Sequence, residues 1–311
     1  MHILHCAPLG KSLLQEFIRK IIAAGSKGEA GRIAFILPSP YLLAHARQVL
    51  RRVEMTAWES PRIMSLDELA DHFCGVRKIS RIEQEMIISD LVRNRTDAGL
   101  ERCFGEIIDF PGFVSALARL FDEIKMAAVT PDELDAAFIA LQDDTDRNPE
   151  RDVAVGELFR AYQERLKFCN VADVAGSYLM AIDTLTESDI PLPFEKIFMS
   201  EFSVLSPLRL RLLESLKRKV AMEIGICFEK NRPEVFSAVE PIYQELVGIG
   251  FTPIFQKHEH SSKTALSHIR DQLFREQPTL SENAAEVMIL RSPNRQKEAS
   301  VVADKIKQLM L

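Results

Sequence analysis

Cysteine is scarce and scattered in this chain. Its 311 residues hold five, Cys6, Cys74, Cys103, Cys169 and Cys227, with no C-x-x-C pair among them. An odd, unclustered set excludes a disulfide framework and a cysteine-built zinc site, and it predicts reduced thiols in a cytoplasmic protein. Long apolar runs are also missing, so no segment reaches the length of a membrane span. The N-terminus lacks a basic stretch followed by an apolar one, which predicts no secretory signal. The seven histidines show no H-x-x-x-H or H-E-x-x-H spacing, and His258 and His260 fall in a polar stretch that reads as surface. No G-x-S-x-G elbow and no catalytic triad pattern is found. The paired acids Asp143 and Asp144 lie in a polar loop and read as solvated. There is no excess of positive charge: 39 Lys and Arg face 45 Asp and Glu, for a net charge of -6. That excludes a strongly basic nucleic-acid binder but leaves room for a local basic groove.

What is present is a globular composition. Hydrophobic residues make up 47% and charged residues 27%, enough to build a sizeable core and exclude disorder. The length fits one large domain or two smaller ones. The first twelve residues carry the most chemistry. His2-Ile3-Leu4-His5 reads as a short buried strand, Cys6-Ala7-Pro8-Leu9 as a loop, and Gly10-Lys11-Ser12 as the opening of an amphipathic helix. This is the layout of a phosphate-binding loop, where backbone N–H groups and the helix dipole attract an anion. Lys11 would add charge and Ser12 would offer a hydroxyl to Mg²⁺. The full pattern wants a glycine where His5 stands, and Pro8 removes one N–H donor. The plain alternative is a strand-to-helix turn without ligand.

Further along, Arg32 to Leu37 is a continuous apolar run that predicts a strand buried on both faces. Tyr41 to Val53 predicts a helix, and Pro61 to Met64 a short strand. Ser65 with Glu68 forms a capping box for the next helix. From about Ile79 to Phe168 long amphipathic helices follow one another, one opened by Thr130-Pro131-Asp132-Glu133. The core then resumes with a helix over 170–185, strands at Lys196 to Met199 and Ala221 to Phe228, and a helix from Pro233 to Val247. A strand at Thr252 to Phe255, a helix at Thr264 to Phe274, a final strand at Glu286 to Leu290 and a helix from Asn294 follow. Alternating strands and helices predict an α/β fold with a mostly parallel sheet. The terminal helix stays apolar to Leu311 with no stop signal, which predicts a piece of a longer protein.

Three other features are candidates for contact with phosphate. An acidic residue at the end of a buried strand would complete a nucleotide site; Glu201 stands there, preceded by Ser200 where a metal-holding Asp belongs. The basic runs Arg51-Arg52 and Lys217-Arg218-Lys219 suit phosphate, although cations at helix C-termini are also ordinary solvated ends. Ser39 and Tyr41 follow a strand, where a hydroxyl and an aromatic ring could meet single-stranded nucleic acid; the plain alternative is a helix cap.

The order of these pieces resembles the N-terminal part of the AddB/RexB subunits of bacterial helicase–nucleases, relatives of superfamily 1 helicases of the UvrD and RecB type. His5 to Ser12 falls where the helicase phosphate loop would be. Ile36 to Tyr41 looks like the next strand with its DNA-facing loop. Phe113-Val114, Leu117 to Leu120, Glu123 to Lys125 and Thr130 to Leu134 look like the helical insertion. Tyr162-Gln163, Leu166 and Asp173 resemble the return to the core. Ile197 to Phe202, with Ser206-Pro207 and Leu212-Leu213, resembles a degenerate second nucleotide motif. Asn294, Glu298, Ala303 and Ile306 resemble the segment before a second motor domain.

The resemblance implies a RecA-like P-loop NTPase parallel sheet with a mostly helical inserted subdomain. Residues 1–78 would be the first part of the core, 79–168 the insertion, and 169–311 the second part. Gly10, Lys11, Ser12 and Glu201 would form a degenerate nucleotide site with ATP and Mg²⁺ held weakly or not at all, and Ser39 and Tyr41 would face DNA. It also implies an AddA-type helicase–nuclease subunit as partner, and a role in processing DNA double-strand breaks. A second motor domain and an iron–sulfur nuclease domain would follow, and none of their ligands is identified in this sequence. A working P-loop ATPase or helicase and a purely protein-binding scaffold remain alternatives.

Overall fold

Strands form where short apolar runs end at Gly, Pro or Ser, and helices form where apolar residues repeat every third or fourth position. The computed structural model describes residues 2–52, 59–94, 98–141, 148–187, 190–257, 264–272, 274–275, 278–279 and 288–310. Its strands are β1 (His2–Ala7), β2 (Ile33–Ile36), β3 (Arg62–Met64), β4 (Arg77–Lys78), β5 (Val171–Ala172), β6 (Lys196–Ser200), β7 (Ala221–Cys227) and β8 (Thr252–Phe255). The first helices are α1 (Leu13–Gly25), α2 (Pro40–Arg51), α3 (Leu66–Phe73), α4 (Arg81–Asn94), α5 (Ala98–Phe104), α6 (Pro111–Met126) and α7 (Pro131–Ala140). The later ones are α8 (Pro149–Cys169), α9 (Val174–Glu187), α10 (Pro207–Lys217), α11 (Pro233–Phe236), α12 (Glu240–Gly248), α13 (Ala265–Gln272) and α14 (Arg295–Met310).

Six strands form one sheet in the order β3-β2-β6-β7-β1-β8, parallel throughout. Side chains alternate between its faces with period two. Ile33, Phe35 and Phe198 pack with α1 and α2 around Phe17, Ile21 and Leu50. Ala34, Ile36, Ile197, Met199, Met222 and Ile224 pack on the other face against α3, α9, α10 and α12. Covering both faces is what a parallel sheet requires. The connection from β1 runs over β7 and β6 to β2, whereas those from β6 and β7 run the opposite way. Right-handed crossovers therefore place their helices on opposite faces. A crevice opens at the carboxyl end of the sheet, between the loop that follows β1 and the ends of β6 and β7.

Helices α4 to α8 have their own apolar centre, built by Ile88, Phe113, Leu117, Phe121, Leu158, Phe159 and Tyr162. The predicted capping box at Ser65/Glu68 is closed, and the helix start predicted at Thr130 closes a second one with Glu133. A two-stranded ladder, β4 with β5, brings the two ends of this helical stretch side by side. Beside it Lys125, at the end of α6, donates to both oxygens of Asp173 at 2.7 Å. Asp173 also accepts from Tyr162 Oη at 2.8 Å and from Gly176 N at 2.6 Å, the latter capping α9. Both charged groups are buried, at 4% and 2% exposure.

Three elements differ from the sequence reading. The helix predicted over 170–185 starts only at Val174, because Asn170 ends α8 in the left-handed conformation (φ 52°) and β5 intervenes. The helix predicted from Pro233 breaks into α11 and α12, with Pro241 in the first turn of α12, since a proline inside one long helix would lose a backbone bond. Met288 to Leu290 form no strand, and Glu286 and Val287 lie outside the described residues. Asp143, Asp144, His258, His260 and Leu311 lie outside them too.

Candidate functional site

The loop between β1 and α1 is five residues long and tightly turned. Lys11 N donates to Pro8 O at 3.1 Å, and Gly10 occupies the third position of that turn at φ +86°, a conformation that favours glycine. Ser12 caps α1, its Oγ accepting from Gln15 N at 3.2 Å. Leu9 N donates to a carboxylate oxygen of Glu229 at 3.2 Å. The Arg270 side chain lies against Gly10, so close that a Cβ there would sit 2.8 Å from Nη1. Of the amides that would cradle an anion, Leu9 and Lys11 already have acceptors, and Pro8 has no N–H.

Gly225 sits beneath the first turn of α1. A Cβ at this position would lie 3.0 Å from Leu13 Cδ1 and Phe17 Cε2, so the missing side chain lets the helix seat on the sheet. His5 belongs to β1, as its apolar run predicted, and Cys6 and Ala7, expected in the loop, extend that strand; the His5 ring points under α1 against Phe17. Its Nε2 lies 2.8 Å from Glu223 Oε2, and Lys20 and Lys196 reach the same carboxylate at 2.7 and 2.6 Å. Burial alone would raise the Glu223 pKa, but hydrogen bonds from His5, Lys196 and Lys20 hold it well below the usual carboxylate range. His5 thus takes part in a buried ionic cluster where a phosphate loop would have glycine.

Gly10, Lys11 and Ser12 meet Glu201 across a cavity of about 380 Å³, which Ser203, Gly225 and Cys227 also line. That volume suits a small ligand. Glu201 adopts φ +67°, a conformation that costs a non-glycine residue energy and recurs at binding sites. A smaller crevice of about 150 Å³ adjoins it, lined by Ser65, Asp67, Glu201 and Arg209. There Tyr178 Oη donates to Asp67 at 2.5 Å and Arg209 bridges both. The Cys227 thiol is pushed up to about 11, first by burial and then by the Glu229 and Glu201 carboxylates. Two carboxylates, Glu201 and Glu229, thus stand near Cys227, and the Arg270 guanidinium lies against Gly10. Two amides that a tight nucleotide cradle would use, those of Leu9 and Lys11, have other acceptors, so these residues do not fit such a cradle. Among the described residues no group of three His, Cys, Asp or Glu could hold a metal ion.

Ser39 and Tyr41 stand apart from this cavity, at the carboxyl end of β2. Ser39 Oγ caps α2, accepting from Leu42 N at 3.3 Å. Tyr41 is 77% exposed, and its ring stacks on His45 at 6.4 Å with 13° between the planes. Lys217 to Lys219 lie at the opposite, amino end of the strands, just before β7, where Lys217 donates to the Ile249 carbonyl. Sequence reasoning missed Glu229, Gly225 and Arg270. Glu229 carried the same signal as Glu201, an acid just past a buried strand; the other two act only through contacts more than 200 residues from the loop.

Fold and site together define a parallel α/β protein whose strand–loop–helix crevice lies at the carboxyl end of the sheet, with a helical stretch between two parts of its core. Residues 7–277 match the family described as ADDB, N-terminal, and the chain belongs to that family. It is 23% identical over 210 residues to the ATP-dependent helicase/deoxyribonuclease B subunit of Clostridium novyi (strain NT), covering 65% of this chain and 18% of the relative. It is 24% identical over 233 residues to the protein of the same name from Alkaliphilus metalliredigens (strain QYMF), covering 72% of this chain and 20% of the relative. The chain thus spans about a fifth of the length of the curated relatives it matches. Among the described residues no helix is long and apolar enough to cross a membrane.

Proposed function

We propose that this chain is the helicase-like N-terminal portion of a cytoplasmic DNA double-strand-break-processing helicase–nuclease component. It holds DNA and an AddA-type partner subunit and does not drive ATP hydrolysis. The observation that carries the reading is the state of the Gly10 loop: Leu9 N on Glu229, Lys11 N on Pro8 O, and Arg270 against Gly10. An anion site needs those amides pointing outward, and the neighbouring carboxylates repel a triphosphate. The relatives' name, one subunit of an ATP-dependent helicase/deoxyribonuclease, supports the DNA-processing context and the partner. Under this reading residues 79–168 are an inserted helical subdomain of a RecA-like core.

A working ATPase is the second reading, favoured by the cavity that joins Lys11, Ser12 and Glu201. Calorimetry with ATP and ADP in Mg²⁺, on the wild type and Lys11→Ala, separates the two. No heat at millimolar nucleotide is the expected result. Tight binding that Lys11→Ala abolishes would overturn the proposal and make Glu201 the metal-ligand candidate.

A further inference from the structure

Helix α4 carries two apolar stripes. Ile88, Leu91 and Val92 face the core of the helical stretch. Ile82 and Met86 stand one turn apart on another side, 71% and 66% exposed. A surface helix needs one apolar stripe and keeps its opposite face polar. Beside them Ile107 and Phe110, in and just after the 3-10 turn Gly105–Asp109, are 59% and 63% exposed. Ile82, Met86 and Phe110 line one groove of about 290 Å³ with the more buried Val92 and Val114. The four exposed side chains present roughly 500 Å² of apolar surface, near the top of the range for one patch on a monomer and the mark of an interaction site.

The rim of this groove has charges of both signs. Arg93 and Asp109 line it and are exposed. Neither joins an ion pair with a described residue, whereas Glu85 on the same rim is held by Arg81 at 3.1 Å. Two acids against one base give the face no attraction for nucleic acid or an anionic membrane. One cation and one anion beside an apolar groove are instead self-complementary: a two-fold axis midway between them sets Arg93 of each copy against Asp109 of the other. Doubled across that axis and framed by its polar rim, the patch reaches the roughly 1,200 Å² at which specific interfaces begin.

We propose that the face built by α4 and the Gly105–Asp109 turn joins two copies of this chain in a two-fold dimer. Met86 and Phe110 of each copy cover the groove of the other, and two Arg93–Asp109 pairs close the rim.

The test is sedimentation velocity of the whole chain from about 1 to 100 μM, with circular dichroism to show that each variant is folded. The wild type should pass from monomer to dimer in that range. Met86→Glu should raise the dissociation constant about 10- to 100-fold, because the dimer then buries an unpaired charge. Arg93→Asp sets acid against acid at both ends and should weaken the dimer about 10-fold or more; adding Asp109→Arg should bring it back to within about 3-fold of the wild type. Phe168→Glu, at an 88% exposed position at the end of α8, is the control and should change nothing. A wild type that stays monomeric at about 100 μM overturns the proposal and leaves the groove to a different protein. A dimer that Met86→Glu leaves intact, or that Phe168→Glu breaks equally, overturns the choice of face. A dimer that Arg93→Asp weakens and Asp109→Arg does not rescue overturns the two-fold pairing.

Discussion

Replacing Asp173 with alanine should destabilise this protein more than replacing Lys125 with methionine, although the two residues form one ion pair. Asp173 accepts from Lys125, Tyr162 and Gly176, and it is 2% exposed. Its removal leaves a buried ammonium without its partner, a loss of about 3–5 kcal/mol. The α9 cap goes with it, at about 1 kcal/mol more. Lys125→Met leaves the carboxylate its bonds from Tyr162 and Gly176, each worth about 1.5–3 kcal/mol to a charged acceptor, so the loss is smaller, about 2 kcal/mol. The double variant should cost less than the sum of the two, with a coupling of about 2 kcal/mol, because each single change strands a partner that the double change removes. Urea unfolding of the four proteins measures this, read as midpoint shifts at constant slope. Equal losses for the two single variants, or strict additivity, would refute the reasoning and show that water screens the pair. Lys125 ends α6 and Asp173 opens α9, so the same cycle reports how firmly the helical stretch is fixed to the sheet.

Two further outcomes follow from the site. The Glu223 pKa is depressed in the folded chain, so its contribution to stability is full above the unfolded carboxylate value and fades as pH falls from about 5 downward. Melting temperatures between about pH 3 and 7 should therefore show a shallower acid limb in Glu223→Gln than in the wild type, and parallel limbs would contradict the ionic cluster. Glu229→Ala should free the Leu9 amide and remove a repulsive charge from the cavity, tightening pyrophosphate binding about 3- to 10-fold by calorimetry; unchanged or weaker binding would show that Glu229 does not occlude the loop.

What could be read from the sequence was local. The apolar runs at β2, β6 and β7 stand alone as strands, and their alternation with helices predicted a mostly parallel sheet, which the structure contains. Ser65 and Glu68 lie three residues apart, so their capping box was visible as a pair, and Thr130-Pro131 marked the start of α7. The β4–β5 ladder was not, since two residues carry no periodicity. His5 looked like a defective loop position because its partner Glu223 lies 218 residues away. The engagement of Leu9 by Glu229 was hidden for the same reason: it spans 220 positions. Lys11 and Glu201 share a cavity, but no spacing rule could tell how much of the loop's donor capacity the fold had already used.

The sheet's strand order also sets a timetable for synthesis. Of this sheet's strands β1 is the first to leave the ribosome, yet its neighbours are β7 and β8, with His5 beside Glu223, 218 residues later. At about 5–20 residues per second the N-terminal strand waits roughly 10–40 s for a partner. Helices α4 to α8 build a core largely from their own residues and complete it in that interval. The strand that carries the candidate loop is thus the first of the sheet to be made and stays unpaired until β7 emerges, and during the gap its open edges invite wrong pairing.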